Sequence, residues 1–132
     1  MTTLKTLTLV DDDDIFVFLT TKIIEQTNLV DLIKVFGNGL DAINFLKENK
    51  NNVDALPGII LLDLSMPIMN GWEFIEAYQM INIQQSVDMY ILSSSVYEND
   101  IEKTKSYPLV KGFISKPLSI DRLKELVNAI GH

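Results

Sequence analysis

Four consecutive aspartates, Asp11 to Asp14, follow the β-branched and apolar stretch Thr8–Val10, and Ile15 and Phe16 come directly after them. A fifth acid, Asp63, stands just behind a second apolar run, GIILL at 58–62. Two further places offer groups that could act beside these carboxylates: the hydroxyls of Ser93, Ser94 and Ser95 in YILSSS, and the cation of Lys116 in GFISKPLS. Carboxylates drawn together repel, a pair roughly 4 Å apart costing on the order of 4 kcal/mol at an effective dielectric of about 20. Either one of them holds a proton, or a hard divalent cation with oxygen ligands offsets the charge. A donor set of carboxylates, in a chain with no cysteine and a single histidine at position 132, suits Mg²⁺ or Mn²⁺ better than zinc. A plainer role also stands: acids behind a strand serve as loop residues and helix N-caps, and acids near a helix N-terminus are favourable in any case. That is the reading for Asp13 and Asp14, whereas for Asp11 and Asp12 both readings remain open.

Chemistry at these positions requires elements that bring them together. Short aliphatic segments of strand length occur at Leu7–Val10, Asp31–Phe36, Gly58–Leu64, Met89–Ser94 and Val110–Ser115. Between them lie helical patterns, with apolar faces at Ile15, Phe16, Leu19, Ile23 and Ile24, at Leu40, Ile43, Phe45 and Leu46, at Phe74, Ile75 and Tyr78, and at Leu123, Leu126, Val127 and Ile130. Asp14 and Ser119 are the expected N-caps, Gly71 opens the third helix, and Gly131 stops the last. The helix before the fifth strand is weakly marked. Its segment YENDIEKTKSYP has one aliphatic residue, Ile101, and a short, comparatively mobile helix is expected.

Five strands alternating with five helices imply right-handed crossovers and a parallel sheet covered on both faces. The expected fold is α/β, a doubly wound five-stranded parallel sheet of the flavodoxin-like (βα)5 kind with strand order 2-1-3-4-5. The ligand crevice of such a sheet lies at the carboxyl ends of the strands, between the first and third. Asp11, Asp12 and Asp63 then meet, because adjacent strands are about 4.8 Å apart. Ser93 and Lys116 end the fourth and fifth strands on the same edge.

Composition narrows the rest. At 132 residues and 47% hydrophobic, the chain has the size and apolar content of one domain with its own core. The net charge of −7, with no basic cluster, argues against nucleic-acid binding. Without cysteine, disulfides, thiolate catalysis and cysteine-held metals are excluded. No apolar run approaches the roughly 20 residues of a membrane helix, and no signal peptide is present, so a cytoplasmic location is expected.

The acidic pair after the first strand, D-x-S-M-P-x-M-x-G from Asp63 to Gly71, the hydroxyl after the fourth strand and Lys116–Pro117 after the fifth occur together in one order and spacing. In this the whole chain resembles the receiver domain of two-component response regulators, CheY-like and of the stand-alone kind. The resemblance implies that Asp63 is the phosphoacceptor, attacking the phosphohistidine of a sensor histidine kinase or histidine phosphotransfer protein. It implies Mg²⁺ as cofactor, with Mn²⁺ able to replace it. Asp12 and Asp63 would be ligands, Asp11 would act mainly through a metal-bound water, and the backbone carbonyl of Ser65 would complete the protein share. Lys116 would neutralise charge on the phosphoryl group, and its bond to Pro117 would be cis.

The resemblance further implies Ser93 as the switch hydroxyl and Phe113 as its aromatic partner, the signal being read by a target protein on the face of helix four, strand five and helix five. Phe113 lacks the hydroxyl a tyrosine would offer there. Ser65 and Ser95 occupy the positions where the family tunes dephosphorylation. Trp72 is expected at the start of helix three, half-buried, and Tyr97 near helix four is a candidate partner contact. His132, at the chain end, is not an internal phosphodonor. Residues 1–132 are then a single receiver with no output domain, a monomer or weak dimer, catalysing only its own phosphorylation and dephosphorylation. A phosphatase of the haloacid dehalogenase type would need an acid where Ser65 stands, and flavin binding would place phosphate against aspartates. A phosphorylation-silent interaction module of the same fold is the alternative.

Overall fold

Segments buried on both sides read as continuous aliphatic runs, and that is how IILLD becomes the middle of the sheet. The computed structural model describes residues 3–94 and 98–130, without the side chains of Glu98 and Asn99. Ser95, Tyr97, Gly131 and His132 lie outside the described residues. The elements alternate strictly: β1 (Leu4–Val10), α1 (Asp14–Thr27), β2 (Val30–Phe36), α2 (Gly39–Glu48), β3 (Ile59–Asp63), α3 (Gly71–Ile81), β4 (Asp88–Ser93), α4 (Glu98–Thr104), β5 (Val110–Ser115) and α5 (Ile120–Ala129). The strands form one sheet, ordered β2-β1-β3-β4-β5, and every pairing is parallel. The expected doubly wound fold and strand order are therefore found.

Each sheet face carries its own core. On one face, α1 and α5 bring Phe16, Ile24, Leu123, Leu126 and Val127 against Leu7, Leu9, Ile59 and Leu61. On the other, α2 and α3 bring Ile43, Leu46, Phe74 and Ile75 against Val10, Ile60, Leu62 and Ile91. β3, enclosed by both, is buried along its whole length, as parallel strands with two covered faces are.

Several local expectations shift. β1 starts three residues earlier than the apolar run, because Lys5 points to solvent while Leu4 on its other side is buried and its N–H bonds the carbonyl of Leu29. The cap of α1 is Asp13, not Asp14: the Asp13 carboxylate accepts from the N–H groups of Ile15 and Phe16, and Asp14 is the first helical residue. The buried stripe of α1 is Phe16, Thr20 and Ile24, which leaves Ile15 and Leu19 exposed. A threonine at the centre of that stripe hid it from a reading based on aliphatic spacing. Leu40 is likewise exposed, while Ala42, Ile43 and Leu46 are buried. Ser119 caps α5 as expected. α4 is short, and Ile101 is exposed. Among the described residues, no helix is long and apolar enough to cross a membrane.

Candidate functional site

The register of the sheet assembles the acids. Val10 of β1 is level with Leu62 of β3, so Asp11 and Asp63 follow on neighbouring chains at the same edge. One carboxylate oxygen from each of Asp11, Asp12 and Asp63 lies within 4.8 Å of the others. On the far side, β4 and β5 are in register at Ser93 and Ser115, and the N–H of Lys116 donates to the carbonyl of Ser93 at 2.9 Å. The Lys116–Pro117 bond is cis. The Lys116 ammonium stands 2.9 Å from Asp11 Oδ2 and 3.7 Å from Asp63 Oδ1.

Burial separates the acids sharply. Asp11 is 2% exposed and Asp63 9%, whereas Asp12 faces solvent. Asp11 Oδ1 accepts from the N–H of Asp13 at 2.9 Å. Asp11 Oδ2 has the Lys116 charge beside it but no hydrogen bond of proper angle, so this buried oxygen is electrostatically paired and directionally unsatisfied. The Asp63 carboxyl titrates above the usual carboxylate range: burial raises it most, the Asp11 charge raises it further and Asp12 adds to this, against the opposing pull of Lys116 and of a backbone hydrogen bond from Ser65. Burial by itself would lower Lys116, but the close contact and charge of Asp11, with the charges of Asp63 and Asp13, override it and hold the ammonium above its ordinary value.

Together these features suit a hard cation. Three carboxylates converge, at least one buried oxygen has an unused lone pair, and no nitrogen or sulfur ligand is among them. Asp11, Asp12 and Asp63 could hold such an ion.

The loop beyond Asp63 is tied down at both ends. The Gly71 N–H donates to the carbonyl of Leu64, and Asn70 and Glu73 form a reciprocal capping box at the start of α3. The N-x-x-E spacing in NGWE is the sequence signal of that box. A Cβ on Gly71 would lie 2.7 Å from both the Asp63 carbonyl oxygen and Leu64 Cα. Both obstacles are backbone, so Gly71→Ala is expected to cost about 1–3 kcal/mol and to push the Asp63 segment outward. Thermal unfolding and Mg²⁺ affinity measured together check this, and an unchanged melting temperature would contradict it.

The other anticipated residues are distributed more widely. Ser93 is half-buried at the end of β4, and Ser65 is exposed in the loop. Phe113 lies in β5, half-buried against the α2/α3-side core, and lines a cavity of about 360 Å³ with Ser115, Pro117, Ser119 and Arg122. Trp72 is half-buried, as expected, beside Tyr107 and beneath Lys103. The residue overlooked is Phe16: the Lys116 ammonium sits 4.3 Å from its ring centroid. An aromatic one helical turn beyond Asp12 was the available signal.

Residues 7–128 match the family described as response regulator receiver domain. The chain is 25% identical to a probable methanogenesis regulatory protein of Methanothrix harundinacea, over 92% of its own length and 78% of that protein's. It is 26% identical to the chemotaxis protein CheY of Bacillus subtilis, over 91% of this chain and 92% of that one. Among solved structures, a two component response regulator from Cytophaga hutchinsonii superposes with a TM-score of 0.86 at 35% identity, covering 97% of each chain. With the parallel five-stranded sheet and the acidic cleft at its carboxyl edge, a match along nearly its whole length establishes that the chain belongs to the response regulator receiver domain family, a family of signalling domains.

Proposed function

We propose that the protein is a phosphorylation-dependent switch in which Asp63 accepts a phosphoryl group from the phosphohistidine of a sensor kinase or phosphotransfer protein. The observation that carries the reading is the placing of the buried Asp63 carboxylate between two other acids and the Lys116 ammonium. A carboxylate oxygen is a feasible nucleophile for phosphorus once the charge gathering on the phosphoryl oxygens is offset. As the new Asp63–phosphorus bond forms, the phosphorus–nitrogen bond to the donor breaks, and the imidazole leaves with its electron pair and takes up a proton.

In this reading Asp11, Asp12, Asp63 and the Ser65 carbonyl would hold Mg²⁺, or Mn²⁺ in its place, which would supply positive charge to the phosphoryl oxygens. Lys116, beside Asp11 and Asp63, supplies the remainder. Its neighbours keep it charged at neutral pH, and its side chain is 17% exposed, so its field is little screened by water. The Ser93 hydroxyl, at the end of β4, is the group recruited by the new phosphate. Phe113 then turns within β5, and the changed face of α4, β5 and α5 engages a target protein. Residues 1–132 act as one receiver unit in the cytoplasm, as a monomer or weak dimer, with no nucleic acid or membrane among the partners.

Mass spectrometry of the protein incubated with Mg²⁺ and acetyl phosphate tests the reading. One phosphoryl adduct is expected, absent in Asp63→Asn and absent when EDTA is added. An unmodified protein that nevertheless binds Mg²⁺ would refute the switch and leave a silent interaction module.

A further inference from the structure

Among the described residues, the Lys116 ammonium stands 2.9 Å from Asp11, 3.7 Å from Asp63 and 4.3 Å from the centroid of the Phe16 ring. Phe16 is 9% exposed and belongs to the α1/α5-side core with Leu92, Ile114 and Leu118. Its ring is therefore fixed by packing rather than by the lysine. An ammonium on a flexible four-carbon stem between two carboxylates can follow either one. A ring face attracts the same cation without bearing charge of its own, and most strongly where water is excluded. We propose that Phe16 is a positioning residue for phosphoryl transfer, seating the Lys116 ammonium where it meets the phosphoryl oxygens on Asp63.

Leucine at position 16 would fill much the same space and supply none of that attraction. The proposal rests on Asp63 being the acceptor, so the test includes a reading that needs no phosphorylation. In Phe16→Leu the transfer rate from acetyl phosphate at saturating Mg²⁺ is expected to fall within a roughly two- to thirty-fold range. Installing mono-, di- and trifluorophenylalanine at position 16 weakens the negative ring face at nearly constant size. The rate should fall stepwise along that series while the melting temperature holds. In the metal-free protein, the Lys116 ε-methylene protons should show an upfield ring-current shift in NMR that is lost in Phe16→Leu. A flat rate across the series, or an ε-methylene shift unaffected by Phe16→Leu, overturns the proposal.

A separate observation concerns α4. Among the described residues it contributes no side chain to either buried cluster. Just beyond it Tyr107 packs against the α2/α3-side core, and polar and aromatic contacts link this part of the chain to α3. Lys103 Nζ lies 4.6 Å from the Trp72 ring centroid, the Tyr107 ring lies 6.0 Å from Trp72, and the Tyr107 hydroxyl donates to Glu76 Oε1. Trp72 directly follows Gly71, the residue pressed against the Asp63 backbone. The geometry points to a clasp of Trp72, Glu76, Lys103 and Tyr107 that holds α4 to α3 and ties its position to the phosphoacceptor segment.

An element without core anchors opens easily, so loosening its tether should register in amide exchange. Tyr107→Phe removes the hydroxyl and keeps the ring, and Lys103→Gln removes the cation. Each is expected to speed exchange over residues 98–107 about two- to five-fold, and the pair together more, with β1 and β3 unaffected. Exchange over 98–107 unchanged in the double variant would show that α4 is held by other contacts and overturn the clasp. The measurement uses unphosphorylated protein and does not depend on Asp63 chemistry.

Discussion

Lys116→Met should destabilise the metal-free protein by about 3–5 kcal/mol and slow phosphoryl transfer roughly 10²- to 10³-fold. Methionine keeps most of the length and apolar character of the lysine stem and removes the ammonium, with its charge and N–H donors. The Asp11 side chain is fully buried, and its Oδ2 has the Lys116 ammonium beside it and no hydrogen bond. Without the cation, a buried carboxylate would be left with no countercharge, which is the costly way to break such a pair. A divalent ion should then repair part of the damage, since it brings charge to the same oxygens. At about one hundred times its dissociation constant, a ligand that binds only the folded state adds roughly 2.7 kcal/mol. Chemical denaturation with and without Mg²⁺ should show the larger metal-induced gain in the variant, where no ammonium competes for Asp11. Equal gains in both proteins would mean that lysine and metal do not share the carboxylates, and a transfer rate within about three-fold of the parent would remove Lys116 from the chemistry.

Asp63→Asn should act in the opposite direction, stabilising the metal-free protein while abolishing phosphorylation. Folding takes Asp63 out of water and sets it beside Asp11, so its carboxyl keeps its proton to higher pH than in the unfolded chain. Between the ordinary carboxylate range and that raised value the folded state binds more protons, so stability falls as pH rises through the window, and the loss is complete above it. Asparagine does not titrate and offers N–H donors to the neighbouring acids. The advantage of the variant should therefore be smallest in acid, widen through this window and persist at neutral pH. One kcal/mol corresponds to about 2–8 °C in melting temperature for domains in this size range, so the gap is accessible to a thermal scan. Adding Mg²⁺ should narrow or reverse it, because the parent has the extra carboxylate ligand. A variant that is less stable at neutral pH without metal would contradict the account of Asp63 as a carboxylate held at a cost.

The convergence of Asp11, Asp12 and Asp63 was legible because it depends on few quantities. Strand ends can be read from where aliphatic runs stop, and parallel neighbours put successive strand ends on one edge. Lys116 followed from the same reasoning, since it ends the fifth run. Five alternations of strand and helix are likewise a one-dimensional pattern, which is why strand order and layer arrangement could be expected before any coordinates.

What differed lay within a turn of helix or in side-chain direction. Asp11 and Asp12 are identical neighbours in the chain, yet one is enclosed and the other open to water, because successive positions at a strand end point to opposite sides. Asp13 rather than Asp14 caps α1, a shift of one residue decided by which carboxylate meets the free N–H groups. The ring of Phe16 beneath Lys116 and the tether of Trp72, Glu76, Lys103 and Tyr107 join residues far apart in the chain. By itself, then, the sequence determined the family, the layered sheet and the edge at which its acids gather, all properties of pattern and order. Only the tertiary structure decided which carboxylate is buried, which ring lies beneath the lysine and which side chains join α4 to α3, because each depends on packing that brings distant side chains within a few ångströms.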